Sequence, residues 1–277
     1  MWCLEDIARI AITHTHTDHY GLAAWVMRRS GAKLFMHAAE KEMIESRYRK
    51  ASRFAEESNI LLRTSGIEEK YVPDPNQIAV RFTSLVEIAP QDGSWNDGNV
   101  LVHAGFELHV LWTPGHSPGH MCLYDQNHKI FFSGDHVLPG INSHIGLAPG
   151  SGPSPLDDYT DALERCRSLD VELMLPSHGP PLKGFERRVR QILAHQRQRK
   201  TEILNIMKGS PDPWNAFRLV QAITWRHSRI KPLSWQNLRD FDKRLAITEV
   251  MAHTESLAYE GRLEKRPRDG IVYYRPI

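Results

Sequence analysis

Apolar residues in the first two-thirds of the chain form short runs that alternate with longer segments, in which apolar positions recur every three or four residues. The short runs are typical of buried strands and the longer spacing of amphipathic helices. Strands are predicted at 7–13, 33–37, 101–102, 106–112, 121–124, 129–132 and 171–175. Helices are predicted at 22–29, 40–62 and 157–169, and mostly loop at 64–99 and 139–155. This alternation predicts an α/β fold of layers around a mixed sheet.

The last third of the chain has a different pattern, with helical spacing at 185–207 and again at 242–259. Asp269-Gly270 then divides the segment 262–275 into two short runs, and this dipeptide favours the tight turn of a β-hairpin. Charge follows a similar division, because residues 1–182 carry a net charge of −8 and residues 183–277 one of +10. We therefore expect two domains, at 1–207 and 208–277.

The composition is that of an ordinary globular protein. Hydrophobic residues make up 41% of the 277 positions, which is enough for a sizeable core. No apolar run approaches the roughly 18 residues that span a bilayer, and the start of the chain has no secretion-signal pattern. Three widely spaced cysteines argue against a disulfide framework and fit a reducing compartment. These features predict a cytoplasmic protein that does not contact a membrane.

Four short polar segments, each at the end of a predicted strand, contain side chains that bind metals. They are THTHTDH at 13–19, TPGHSPGH at 113–120, FSGD at 132–135 and PSHG at 176–179. Turns at strand ends hold side chains on a rigid scaffold while leaving them open to a cleft. Neutral imidazoles and carboxylates together are typical ligands of zinc, and also of iron or manganese. The segments hold too many ligands for one tetrahedral zinc ion and suit two metals bridged by a carboxylate.

In type and order these segments resemble the motifs of the metallo-β-lactamase-fold hydrolases. THTHTDH matches the family's HxHxDH signature, and the later segments match its second histidine motif, its bridging aspartate and its last histidine. The set is similar to that of glyoxalase II-like enzymes, although those enzymes end differently. The resemblance covers residues 7–182 and implies an αββα sandwich with two divalent metal ions, zinc before iron or manganese.

The resemblance also implies a role for each residue. The first metal would be bound by His14, His16 and His116. The second would be bound by Asp18, His19 and His178, and Asp135 would bridge the two. Asp18 is expected to be the general acid–base as well as a ligand, and His120 to orient the site without binding metal. His144, in the loop 139–155, is expected to border the cleft.

Two departures from an isolated hydrolase domain are expected at the ends. The family normally has several strands before HxHxDH, but thirteen residues precede His14, which predicts missing N-terminal strands and an unpaired sheet edge. A homodimer is one way to cover such an edge.

The chain from about residue 209 resembles a winged-helix appendage. Its basic charge suits nucleic acid, but Glu249 and Glu255 would repel phosphates, so packing against the hydrolase domain is favoured.

Three functions are consistent with these residues. The favoured hypothesis is a binuclear metal-dependent hydrolase of a small thioester, ester or lactone, so that the partner is a small acyl molecule. Asp135 resembles the aspartate of the thioesterase, lactonase and nuclease branches. The second hypothesis is a metal-dependent endoribonuclease that uses the basic C-terminal region. The third is a truncated, inactive metal-binding protein.

Overall fold

The computed structural model describes residues 3–225 and 233–277. Its first sheet is parallel and lies in the N-terminal part of the chain. Its strands, in order across the sheet, are β1 (Arg9–Ala11), β2 (Lys33–Met36) and β3 (Gly93–Ser94). The helices after β1 and β2 are α1 (Thr17–Tyr20), α2 (Ala23–Ser30), α3 (Ala38–Ile44) and α4 (Ala51–Thr64). A π-helical segment, Glu45–Arg49, joins α3 to α4. Alanines of α2 pack against Leu34 and Met36, so that helices cover this sheet.

The second sheet has five strands whose spatial order is their order in the chain. They are β4 (Val100–His103), β5 (Phe106–Trp112), β6 (Met121–Asp125), β7 (Ile130–Gly134) and β8 (Leu173–Pro176). The first four are antiparallel, and β8 runs parallel to β7 after a crossover through α6 (Pro155–Arg167). The predicted strands and the mixed sheet are thereby confirmed.

Side chains of the second sheet alternate between two apolar layers, as the pleat of a strand requires. Cys122 and Phe131 face α6 and the long helix α7 (Phe185–Met207). Met121 and Leu123 point the other way and cluster with Trp95, which follows β3 of the first sheet. Trp95 also stacks on Phe35 of β2, with ring centroids 5.0 Å apart. The apolar contacts of Trp95 therefore join the two sheets, with helices outside them.

The prediction that 64–99 is mostly loop is wrong in its middle, where α5 (Pro75–Leu85) forms. The Asp74 side chain caps this helix by accepting a hydrogen bond of 2.9 Å from the Asn76 N–H. Pro75 lies in the first turn, where the missing N–H has no intrahelical partner to lose. Ile78 is buried, and the helix packs against α4. The turn-forming residues that suggested a loop are therefore the start signal of a helix.

The C-terminal region follows α7, which has the bounds predicted from the sequence. Its elements are β9 (Trp214–Asn215), α8 (Ala216–Ala222), α9 (Asp240–Tyr259), β10 (Leu263–Arg268) and β11 (Ile271–Pro276). The strands form a small antiparallel sheet in the order β10-β11-β9. Asp269 and Gly270 both have positive φ, as the predicted tight hairpin turn requires. The winged-helix interpretation and the boundary at 207/208 stay predictions.

The apolar core of this region extends into the earlier helices. One cluster joins Leu62 of α4 and Ile203 of α7 to residues of α8 and α9, among them Leu257. The Phe217 N–H also donates a 2.9 Å hydrogen bond to the carbonyl of Ser65. We infer that the C-terminal region and α4 unfold together rather than as separate units.

The β1 strand lies at one end of the first sheet and, among the described residues, pairs with β2 alone. Arg9 and Ala11 are both exposed. This is the geometry expected of an uncovered edge, and the homodimer that would cover it stays a prediction. None of the described helices is long and apolar enough to cross a bilayer.

Replacing Leu62 by alanine tests whether the two regions share a core. Leu62 is 4% exposed and packs in the C-terminal cluster, so its truncation should cost about 2–5 kcal/mol of unfolding free energy. Urea unfolding should show a single transition at a lower midpoint. Ile60→Ala, at a position on the same helix that is 61% exposed, should change the unfolding free energy by about 0.5 kcal/mol or less. Equal effects of the two substitutions would contradict the shared core.

Candidate metal centre

The four metal-binding segments meet at one place because each follows a strand of the two sheets. Residues 13–19 follow β1, residues 113–120 follow β5, Asp135 follows β7 and His178 follows β8. The Met121 N–H donates a 3.0 Å hydrogen bond to the carbonyl of Thr13, which fixes the end of β1 to the start of β6. The sheets therefore set the relative positions of the ligand side chains.

Three histidines form the first group of the site. The His14 Nε2 atom is 2.9 Å from His16 Nδ1 and 3.2 Å from His116 Nε2, and the last two atoms are 3.0 Å apart. Zinc–nitrogen bonds of about 2.05 Å in a tetrahedron separate two ligand nitrogens by roughly 3.3 Å. The three nitrogens therefore have nearly the spacing that one bound ion requires.

Asp18, His19 and His178 form the second group. The Asp18 Oδ2 atom is 3.2 Å from His178 Nε2 and 3.5 Å from His19 Nε2, and the two nitrogens are 3.3 Å apart. The side chains of Asp18 and His178 are 56% and 44% exposed, whereas that of His14 is fully buried. The second group therefore lies on the solvent side of the centre.

Asp135 lies between the two groups. Its Oδ2 atom is 3.5 Å from His116 Nε2 and 3.4 Å from His19 Nε2, and its Oδ1 atom is 3.5 Å from His178 Nε2. Oδ1 is buried and has no hydrogen-bond partner in the described part of the chain. Leaving a buried carboxylate oxygen unpaired is costly. Binding of Asp135 to ions of both groups would remove that cost.

The electrostatics of the site favour the metal-binding forms of the three first-group histidines, whose pKa values are lowered, and of Asp135, whose pKa is lowered mainly by its hydrogen bond with His19 against the effect of burial. Burial, followed by the positive charge that neighbouring histidines would carry, lowers the pKa of His14 and His16 well below the usual value. Burial also lowers the pKa of His116, although Asp135 opposes it. Burial opposes ionisation of His19 too, but Asp135 raises its pKa overall. Neutral imidazoles and an ionised carboxylate are the forms that bind divalent ions, so the residues present fit two such ions.

The loop after β7 orients His116. The His116 Nδ1–H donates a 3.0 Å hydrogen bond to the carbonyl of His144, which leaves Nε2 free to bind metal. The sequence predicts that His144 borders the cleft, and in the structure its carbonyl contacts His116, a candidate metal ligand.

His120 lies behind the ligands and contacts the main chain of one of them. Its Nδ1 atom is 2.8 Å from the Thr113 hydroxyl, and its Nε2 atom accepts a 3.0 Å hydrogen bond from the Asp135 N–H. Gly134 has φ +50°, and a Cβ there would lie 2.6 Å from His120 Nε2. Glycine before Asp135 therefore permits the close contact. This geometry supports an orienting role for His120 and gives it no contact with the space between the two groups.

Glu40, at the start of α3, is the main site residue that sequence reasoning missed. Its fully buried carboxylate accepts four hydrogen bonds from the two histidine loops. Oε2 accepts from the Thr15 N–H at 2.7 Å and the Thr15 hydroxyl at 2.6 Å. Oε1 accepts from the Ser117 hydroxyl at 2.5 Å and the Gly119 N–H at 2.9 Å. One side chain therefore joins the loop of His14 and His16 to the loop of His116.

A family model described as the metallo-beta-lactamase superfamily matches residues 4–178 of this chain. The chain belongs to the metallo-beta-lactamase superfamily. Proteins of this superfamily are typically hydrolases, and the fold usually binds two divalent metals. The resemblance read from four short motifs is thereby confirmed for the superfamily and the α/β fold. The individual ligand assignments stay predictions that the geometry supports.

Similar proteins differ in how much of their length this chain matches. The probable metallo-hydrolase YqjP of Bacillus subtilis is 25% identical over 99% of this chain and 82% of its own length. The metallo-beta-lactamase family protein TTHA1429 of Thermus thermophilus superposes with a TM-score of 0.80 at 27% identity, over 99% of this chain and 81% of that one. The atrochrysone carboxyl ACP thioesterase of Aspergillus fumigatus is 29% identical over 52% of this chain. The match spans only 38% of that thioesterase.

Glu40→Gln should loosen the metal centre of this metallo-beta-lactamase superfamily protein without removing a ligand. The amide NH₂ would face either the Thr15 or the Gly119 N–H, leaving one buried donor unpaired at about 1–3 kcal/mol. We expect metal affinity, measured by competition with a chromophoric chelator, to fall about 10–100-fold. Glu42→Gln, at an exposed position on the same helix, is the matched control and should leave the metal affinity unchanged. Unchanged affinity in Glu40→Gln would show that the loops hold their positions without this carboxylate.

Proposed function

We propose that this chain is a binuclear metal-dependent hydrolase of a small thioester, ester or lactone, with zinc as the preferred metal and iron or manganese as alternatives. The observation that carries the proposal is the position of Asp135 between two groups of three ligands, within 3.5 Å of nitrogens in both. A single structural metal would need neither the second group nor a shared carboxylate. Two ions bound there would supply a hydroxide at neutral pH and polarise the substrate oxygen.

Asp18 is the residue best placed for proton transfer. Its side chain is 56% exposed, compared with 44% for His178 and 10% for His19, and it borders the open side of the centre. A carboxylate there can accept the proton of the attacking water and return it to the leaving group. His120 would act indirectly, because its hydrogen bond to the Asp135 N–H holds the shared carboxylate in place.

The acyl class of substrate is supported by one named relative. The fungal protein that matches half of this chain is an acyl carrier protein thioesterase. A thioester carbonyl is an electrophile whose developing negative charge suits a site of this type. The match spans about half of this chain and 38% of the thioesterase, so we extend the reaction class to this chain and not the particular acyl group.

The ribonuclease hypothesis has weaker support. Several basic side chains of the C-terminal third are paired within the protein. Lys200 Nζ is 2.7 Å from Glu260, Arg199 Nη1 is 2.6 Å from Glu202, and Lys265 Nζ is 2.7 Å from Glu255. Cations that already pair with carboxylates contribute less to phosphate binding.

Asp135→Asn tests the binuclear mechanism with little change in shape. We expect metal-loaded parent protein to hydrolyse simple acyl thioesters in a panel that also contains aryl esters, lactones and single-stranded RNA. Mutation of a residue that hydrogen-bonds to a metal ligand typically lowers metal affinity or activity about 10–100-fold. Loss of the shared ligand itself should therefore lower kcat/KM at least about 100-fold. Asp170→Asn, an exposed aspartate paired with Lys129, is the control and should match the parent.

The panel also distinguishes the other hypotheses. Hydrolysis by Asp135→Asn at the parent rate would show that the shared carboxylate is not needed. Cleavage of RNA alone would favour the nuclease. No turnover of any substrate, with a metal content near zero in the purified protein, would favour the inactive metal-binding protein.

A further inference from the structure

A half-buried arginine lies beside the first histidine group, on a helical segment outside the four metal-binding motifs. The segment is the π-helical turn Glu45–Arg49, in which the Lys50 N–H donates a 3.1 Å hydrogen bond to the Glu45 carbonyl. A π-helical turn contains more residues than an α-helical one, so consecutive side chains lie closer to a common face, and such turns are frequent at functional sites. The consecutive residues here are the half-buried Arg47 and the buried Tyr48.

Tyr48 fixes this segment against the loop that holds His16. Its hydroxyl donates a 2.5 Å hydrogen bond to the Thr15 carbonyl, one residue before that ligand. Burial and the neighbouring His116 lower the pKa of His16, and the positive charge of Arg47 lowers it further. The Arg47 guanidinium is therefore near enough to a candidate ligand of the first metal to act on it electrostatically.

Aromatic rings hold the Arg47 guanidinium in place. Its Cζ atom lies 5.5 Å from the Phe54 ring centroid and 5.9 Å from the Phe82 ring centroid, within the range of cation–π attraction. Its Nε atom is buried and has no hydrogen-bond partner in the described part of the chain. The two terminal nitrogens are not buried in this way, so the rings restrain a cation whose outer N–H groups reach solvent.

Two carboxylates on the same helical stretch have other partners. Glu45 pairs with Arg49 at 3.2 Å and with Lys50 at 3.5 Å. Each oxygen of Glu40 already accepts two hydrogen bonds from the histidine loops. None of the ion pairs between described residues includes Arg47. Burying part of a charge without a counter-charge is costly, so an anion bound from outside would stabilise this arrangement.

The charge of the metal centre favours the same kind of occupant. Two of the seven candidate ligands, Asp18 and Asp135, are carboxylates, and the other five are histidines. Two divalent ions would bring four positive charges against those two negative ones. Arg47 would add to this excess rather than balance it. A substrate with an anionic group would therefore be attracted by the ions and by Arg47 together.

We propose that Arg47 binds a carboxylate of the substrate, so that the preferred substrates are esters or thioesters that carry a free carboxylate besides the bond that is cleaved. The planar guanidinium can donate two parallel hydrogen bonds to such a group. One guanidinium balances the single charge of a carboxylate but not the nearly double charge of a phosphate monoester. The inference rests on the proposed hydrolase and adds a part of the substrate that the seven ligands do not recognise.

Binding is tested first without any reaction. Succinate, glutarate and adipate each have a monoamide, in which one carboxylate is replaced by a neutral group of nearly the same shape. In calorimetry on metal-loaded full-length protein, at least one acid should bind on the order of tenfold more tightly than its monoamide, because the amide loses the charged hydrogen bonds to Arg47. Arg47→Gln should bind the two about equally. Arg47→Lys should keep part of the difference, because it retains the charge without the planar fork.

Arg49→Gln is the matched control. Arg49 lies on the same segment, its side chain is 59% exposed, and it pairs with Glu45. This variant should discriminate each acid from its monoamide as the parent does. Metal affinity, measured by competition with a chromophoric chelator, should be unchanged in Arg47→Gln and in Arg49→Gln, because neither side chain is a candidate ligand.

Kinetics supply the second readout and locate the carboxylate within the substrate. One pair of substrates differs in the acyl part: the S-ethyl monothioester of the best-bound acid and the corresponding amide. The other pair differs in the leaving group: the butyryl thioesters of 3-mercaptopropionate and of 3-mercaptopropionamide. In at least one pair the parent should favour the carboxylate on the order of tenfold in kcat/KM, because the group contributes binding energy remote from the reaction. This ratio should fall to about one in Arg47→Gln and be kept in Arg49→Gln.

The outcomes separate the two proposals. Equal affinities of every acid and its monoamide for the parent would overturn the inference while leaving the hydrolase intact. A preference for the carboxylate that persists in Arg47→Gln would overturn it as well, because another group would then supply the preference. Loss of metal affinity in Arg47→Gln, with acid and monoamide weakened alike, would show that Arg47 only supports the fold and would also overturn it. Selective binding that depends on Arg47, without turnover of any ester or thioester, would support the carboxylate site and refute the hydrolase.

Discussion

The structure depends on holding seven metal-binding side chains close together, although burial and their mutual repulsion oppose it. The nitrogens of the first group lie 2.9–3.2 Å apart, and the side chain of His14 has lost its contact with solvent. Charges and lone pairs gathered in this way are costly unless a cation compensates them. Backbone hydrogen bonds of the two sheets and the four hydrogen bonds of Glu40 supply the restraint. The ligand geometry is therefore largely built into the fold.

The sequence indicates the candidate ligands but not the residues that support them, because the two are encoded differently. His14, His16, Asp18 and His19 are neighbours in the chain, and each later ligand follows a recognisable strand. Glu40 acts on donors 25, 77 and 79 positions away, and no local pattern contains that information. The helix α5 was missed for a different reason. Its capping residues are also the residues of ordinary turns, so the local signal was ambiguous.

The C-terminal region is bound to the metal centre by a continuous series of contacts. The Thr248 carbonyl of α9 accepts from Leu147, the Thr248 hydroxyl lies near the His144 ring, and the His144 carbonyl accepts from His116. An apolar cluster that includes Leu62 of α4 continues the attachment on another face. A mobile appendage that recruits a separate partner would need few such contacts. These contacts instead fit a region that packs as part of the superfamily fold, next to the candidate metal centre.

The candidate metal ligands and the walls of the cavity between α7 and α9 are located in different parts of the chain. The candidate ligands are a few side chains at strand ends, whose spacing is visible in the sequence. The walls of that cavity are the loop 140–145, α7 and α9, which are far apart in sequence and meet only in the folded protein. The same ligands could serve carbonyl or phosphoryl substrates, so the metal centre alone cannot discriminate between them. Side chains outside the four motifs are therefore needed to select one class of substrate.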